Sequence, residues 1–149
     1  MGKRGLTSLV AHATMVIRMR KNITSSTGNM ESGMFEEYRR FYRRRKAEKQ
    51  KQLEKAIEEA RLVAVSAAKM LKERFGVERV MVFGSLTRPS LFHLNSDVDL
   101  AVWGLAEKDY YRAVGILQSL HPPLSIDLVR IEDAPPALQS FILDEGEEL

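Results

Sequence analysis

Between positions 35 and 75 the chain contains neither Gly nor Pro, and from Leu53 onward its apolar residues recur at helical spacing. Leu53, Ile57, Ala60, Ala64, Ala67 and Leu71 follow one another at intervals of four, three, four, three and four, which sets them on one helical stripe. Val63 and Met70 widen it. The C-terminal half of this helix therefore faces a core, and Gly76 stops it. The period then changes. Residues 77–83 form a β-rich run with too few polar residues for a half-exposed strand, so a strand buried on both faces is predicted. Residues 97–103 predict a second strand, ended by Gly104. Residues 107–120 predict a helix with Tyr110, Val114, Leu117 and Leu120 on its apolar side, broken by Pro122 and Pro123. Residues 124–131 predict a third strand. Pro135 and Pro136 suit a helix start, and that helix runs through Leu138, Phe141, Ile142 and Glu145 to a stop at Gly146. The order α-β-loop-β-α-β-α predicts an α/β fold, a short sheet flanked by helices and preceded by a long helix.

Charge divides the chain where the hydrophobic pattern does not. The net charge of +3 combines a first eighty residues at +10 (nineteen Lys/Arg, nine Asp/Glu) with a remainder at −7 (four against eleven). The basic excess concentrates in Arg39, Arg40, Arg43, Arg44, Arg45, Lys46, Lys49 and Lys51, interleaved with Phe35, Tyr38, Phe41 and Tyr42. A charge run of this kind is usually a solvated helix. Aromatics among the basic residues also suit docking to an anionic partner, either nucleic acid or an acidic protein face. The expected organisation is a leader or disordered segment over 1–34, then one domain over 35–149 that includes a helical arm at 35–75. A start at Met30 or Met34 is the alternative reading of the leader. The absence of Cys excludes disulfides, Cys-bound zinc and a cysteine nucleophile, and suits a reducing cytoplasm. No apolar run reaches the roughly 18 residues of a membrane span, so no membrane association is expected.

The candidate chemistry lies around the first two predicted strands. Gly84 and Ser85 follow a buried strand directly. Gly lets a backbone approach a ligand, Ser is a good helix N-cap, and a helical turn there would aim N–H groups at a phosphate. Arg88, one turn onward, would reach the same phosphates. Asp97 and Asp99, two apart on a strand, point to one face. Paired carboxylates repel unless a cation offsets them, and Mg²⁺ is the natural hard cation where phosphates complete its shell. An Asp-x-Asp can equally mark an exposed turn, but the flanking apolar residues argue against that here. Asp127, in an otherwise apolar strand, is the third carboxylate. If its strand pairs beside that of Asp97 and Asp99, the three converge in the manner of two-metal phosphoryl chemistry. The remaining acids, several in the last helix, read as ordinary surface. The Arg88 and His93 spacing matches a ribonuclease motif of HEPN proteins, but that motif needs a helix and Pro89 follows Arg88 at once, so coincidence is the better reading. Tyr110 and Tyr111 could accept modification, although Tyr110 fits the apolar side of its helix better.

Gly84-Ser85, eleven residues, Asp97-Val98-Asp99 and a later Asp127 together resemble the DNA polymerase β-type nucleotidyltransferase superfamily, and most of all its minimal nucleotidyltransferase (MNT) domains. The likeness covers about residues 53–149 and implies the small nucleotidyltransferase fold. It departs in an eleven-residue spacing where many members have ten, and in Pro89 where a Gly is common. The resemblance implies that Gly84, Ser85 and Arg88 hold the nucleotide triphosphate. It implies that Asp97 and Asp99 bind two Mg²⁺ ions, and that Asp127 completes one metal site and helps deprotonate the attacking hydroxyl. It implies a cytoplasmic antitoxin, in a hetero-oligomer with a HEPN-type toxin, that transfers AMP from ATP to a tyrosine of that toxin. The alternatives are an antitoxin that neutralises by binding alone, and an RNA-directed nucleotidyltransferase.

Overall fold

The computed structural model describes residues 29–149. These fall into two units, one ending at Glu48 and the other spanning Lys49–Leu149. The expected leader over 1–34 lies almost wholly outside the described residues. One helix, α1 (Asn29–Phe75), begins six residues before the predicted arm. In the first unit its aromatic residues are largely solvent-facing, with Phe35 60% and Tyr42 58% exposed. The Tyr38 and Tyr42 rings meet there at a tilt, with centroids 5.2 Å apart, and the Arg45 guanidinium lies over the Phe41 ring.

In the second unit the stripe at helical spacing becomes a buried seam. Ala60, Ala64, Ala67, Ala68 and Leu71 are buried, with Leu53, Ile57, Val63 and Met70 packed beside them. Four of the five buried seam residues are alanines, which lets the helix backbone lie close to the sheet. Gly76 ends α1 with φ +64°, its N–H donating to the Lys72 carbonyl at 3.2 Å.

The sheet has four strands in the order β3-β2-β1-β4: β1 is Arg79–Phe83, β2 Val98–Trp103, β3 Ile126–Arg130 and β4 Glu147–Glu148. β1 runs antiparallel to β2 and to β4, and β2 runs parallel to β3 through the crossover helix α2 (Tyr110–Leu120). A three-residue 3₁₀ turn at Glu107–Asp109 takes the first part of the predicted helix. The final helix, α3, spans Pro136–Glu145. Val80, Val82, Val98, Leu100, Val102, Ile126 and Leu128 face α1 and α2. On the opposite face Met81, Phe83 and Ala101 pack with Ile131, Ala134 and Ile142. Both faces of the central strands are thus covered, as their unbroken apolar runs demand. Among the described residues no helix is long and apolar enough to cross a membrane.

One expectation needs correction. The buried face of α2 is centred on Ala113 and Leu117, whereas Leu120 is 40% exposed, because the helix ends at that residue and the chain turns away. The acids at the C-terminus are exposed, as expected, and three of them form ion pairs. Glu147 pairs with Arg61 at 2.9 Å, Glu148 with Arg79 at 2.8 Å and Glu145 with Arg88 at 2.7 Å. Two of these involve β4, which pairs Glu147 and Glu148 with Val82 and Met81. Gly146 makes that turn feasible: a Cβ there would collide with the Ile142 carbonyl and lie 2.9 Å from Met81 Cε.

Candidate functional site

The α3-facing side of the sheet carries the candidate site at the start of β2 and β3. Asp99 is paired in register with Phe83 on β1 and with Asp127 on β3. Alternation along β2 and β3 puts Asp99 and Asp127 on the side of Ala101 and Val129, away from the larger core. Neighbouring strands lie about 4.8 Å apart, so two carboxylates in direct register are held closer than their charges favour. Asp97 precedes β2 and faces solvent, whereas Asp99 is half-buried. Asp99 and Asp127 are therefore brought together, and Asp97 lies near enough to act on Asp99 through its charge. Burial first, then Asp127, then Asp97, raises the Asp99 carboxyl from the usual carboxylate range to about 6. Among the described residues none of the three accepts a hydrogen bond or forms an ion pair.

Other residues hold these carboxylates in place. β3 is a sheet edge, so its outward carbonyls need other donors. Gln118 Nε2 donates to the Ile126 carbonyl at 2.7 Å and the Tyr110 hydroxyl to that of Leu128 at 2.8 Å, one on either side of Asp127. Tyr110 is thus a brace for the strand, and Tyr111 is its exposed neighbour at 84%. Ahead of Asp97, the buried Ser96 closes a turn. Its Oγ accepts the His93 N–H at 3.0 Å and its own N–H donates to the His93 carbonyl at 2.9 Å. Buried Phe92 anchors the same loop, while Leu91 and Leu94 project outward. His93 is exposed in this loop and no helix carries it and Arg88. Neither Ser96 nor Gln118 stands out in the sequence, because a lone Ser or Gln signals nothing without its contacts.

Gly84 and Ser85 occupy a single 3₁₀ turn, Gly84–Leu86, directly after β1. Gly84 has φ +75°, and a Cβ there would collide with Asp99 Oδ2 and sit 3.2 Å from its Cγ. The glycine is required by the carboxylate as much as by the turn. Ser85 does not cap: the cap position is Phe83, without a side-chain bond. The Ser85 hydroxyl is half-buried and has no hydrogen-bond partner among the described residues. Arg88 is tied to Glu145, Nε at 3.2 Å and Nη2 at 2.7 Å, with its guanidinium over the Phe141 ring. Phe141 in turn meets Phe83 edge-on at 6.4 Å.

The family profile described as polymerase beta, nucleotidyltransferase, matches residues 66–149. The chain belongs to this nucleotidyltransferase family. The matched span contains Gly84, Ser85, Arg88, Asp97, Asp99, Asp127 and Glu145, whereas residues 29–65 lie outside it. No curated protein matches the chain. Among solved structures, one assigned as a minimal nucleotidyltransferase is 30% identical. The alignment covers 62% of this chain and 95% of that one, with TM-score 0.52. A toxin–antitoxin complex with AMP-PNP is 25% identical over 54% of this chain and 66% of that chain, with TM-score 0.47. A tri-AMPylated Shewanella oneidensis HEPN toxin in complex with MNT antitoxin is 20% identical over 60% and 70%, with TM-score 0.47. The mixed four-stranded sheet with its helices is the minimal nucleotidyltransferase fold.

The raised carboxyl of this nucleotidyltransferase domain has a measurable consequence without any ligand. A group whose folded pKa is raised favours the folded state below its unfolded value, and that contribution is lost as pH rises through the folded value. With Asp99 at about 6, its contribution is present near pH 4 and gone by pH 7. In cation-free buffer, Asp99→Asn is therefore expected to gain melting temperature over the wild type at pH 7.5 and to keep only a minor part of that advantage near pH 4.5. Scanning fluorimetry of the two proteins at both pH values measures this. An advantage equal at both would contradict the assignment of the strain to ionised Asp99.

Proposed function

We propose that this chain is a Mg²⁺-dependent nucleotidyltransferase that moves AMP from ATP to a hydroxyl on a partner protein, a tyrosine of a HEPN-type toxin, and so acts as that toxin's antitoxin. One observation carries the reading. Asp99 and Asp127 are in direct register on adjacent strands, Asp97 acts on Asp99 through its charge, no protein cation or donor among the described residues offsets the three, and Gly84 is pressed against Asp99.

The residues fit Mg²⁺ with nucleotide. Among the described residues no group of three or more His, Cys, Asp or Glu is gathered tightly enough to hold a metal by itself. Mg²⁺ seldom uses such a cage: it binds through one or two carboxylates and fills its shell with phosphate oxygens and water. Asp97 and Asp99 would hold two ions, with Asp127 completing one site. Bound there, they would offset negative charge on the triphosphate as it reacts.

The chain's own residues supply the rest. Gly84 and Ser85 would hold the triphosphate beside the carboxylates, and Arg88 would fix its charge from the other side. The acceptor oxygen attacks the α-phosphorus and a new P–O bond forms. The bond from the α-phosphorus to the bridging oxygen breaks, and pyrophosphate leaves with that electron pair. The hydroxyl proton goes to an Asp127 oxygen. Asp127 is the exposed member of the in-register pair, so it is the carboxylate an incoming macromolecule can reach. The basic, aromatic arm over residues 35–51 is largely exposed and suits an acidic face of such a partner.

Two labels test the reaction type. The chain, Mg²⁺ and the protein encoded by the neighbouring gene are incubated with ATP labelled at either the α- or the γ-phosphate. AMP transfer puts only the α-label on the partner. The γ-label on protein, or neither label, contradicts the proposal.

A further inference from the structure

We propose that Glu145 is a positioning residue for Arg88: it sets the guanidinium plane so that the free edge, Nη1, is presented to the nucleotide phosphates. The inference rests on the reading above, in which Arg88 meets the triphosphate.

The geometry is that of a held side chain rather than a stabilising bridge. Glu145 accepts from Nε at 3.2 Å and from Nη2 at 2.7 Å, a two-point contact on one edge of the guanidinium. The flat face lies over Phe141, 5.5 Å from its centroid. The Arg88 N–H donates to the Ser85 carbonyl at 3.2 Å, which fixes the base of the side chain to the Gly84–Leu86 turn. Edge, face and root are each fixed. Nη1 alone has no partner among the described residues. Both side chains are about two-fifths exposed, where an ion pair adds little to stability. What such a pair does supply is direction, because a planar fork bound at two points cannot rotate freely. Phe141 connects this element to the carboxylates, since it packs on Phe83 and Phe83 is in register with Asp99. Glu145 is the last residue of α3, where exposed carbonyl ends also favour a cation.

A lysine cannot be held this way. It carries the charge but not the fork, so Arg88→Lys should behave like loss of Glu145. The measurement is calorimetric binding of ATP with Mg²⁺, and of AMP as a control without the β- and γ-phosphates, to the full chain. Glu145→Gln is expected to weaken ATP binding by about tenfold, the scale of one charge-assisted hydrogen bond, and to leave AMP binding unchanged. Arg88→Lys should do the same, and the double variant should be no weaker than either single one. Melting temperatures within two degrees or so of the wild type would show that the fold is intact; Glu145→Asp, too short for both contacts, gives a second variant if Glu145→Gln melts early. Tighter ATP binding by Glu145→Gln would overturn the proposal, since Glu145 would then compete with phosphate for Arg88. Additive losses would overturn it too. Should Arg88→Ala leave ATP affinity unchanged, the reading of Arg88 fails first. Should Arg88→Ala weaken it while Glu145→Gln does not, only the positioning role fails.

Discussion

Asp99→Asn is expected to abolish nucleotidyl transfer while leaving a protein that melts at least as high as the wild type in cation-free buffer at pH 7.5. The two effects have one cause. The carboxylate is half-buried beside Asp127 and Asp97, so its charge is a liability until a cation offsets it. Asn keeps the shape and removes the repulsion. In the proposed site it would also remove a hard anionic ligand, and metal assistance supplies several kcal/mol to a reacting phosphoryl group. At about 1.36 kcal/mol per tenfold, a loss of about a thousandfold in rate follows. Steady-state transfer rates set beside melting curves would separate this outcome from simple unfolding. A variant that melts lower and transfers normally would mean that Asp99 serves the fold and not the chemistry.

Gly84→Ala should be the most damaging small change at the site. A left-handed φ costs a non-glycine residue about 1–2 kcal/mol, and forcing an atom into a packed position costs about 1–3 kcal/mol more. At Gly84 both apply, because φ is +75° and the new Cβ meets the Asp99 carboxylate. Gly76→Ala is the matched control. Its φ is +64° but nothing lies within 4 Å of a Cβ there. Gly76→Ala should therefore lose only the backbone contribution and keep full transfer activity. Gly84→Ala should lose more stability and most of its transfer activity, since Asp99 must move. Chemical denaturation of both variants measures the difference. Equal losses would show that the approach of Gly84 to Asp99 carries no weight.

Much of this arrangement is legible in the residue pattern alone. Helical spacing over residues 53–71 and the apolar runs around Val80, Leu100 and Leu128 specify which faces are buried, because burial is what those patterns record. The two-residue step from Asp97 to Asp99 is equally local. Contacts between distant segments are not legible in this way. The direct register of Asp99 with Asp127 depends on how β2 and β3 align across a crossover. The Arg88–Glu145 pair spans 57 residues, and nothing in Asp144-Glu145-Gly146 marks Glu145 apart from its neighbours. β4 leaves no trace in the pattern because two glutamates have no strand signature; ladder bonds to β1 make them a strand. Helix α2 shows the same limit at its end. Spacing assigns Leu120 to the apolar side, but the turn at His121 leaves it in solvent.

Three unpaired carboxylates are proposed to serve AMP transfer to a partner protein. The most direct measurement is the intact mass of that partner after incubation with the chain, ATP and Mg²⁺. The expected result is a gain of one or more AMP units with the wild type and none with Asp99→Asn. An unchanged mass, with a wild type that binds ATP and Mg²⁺ normally, would contradict it.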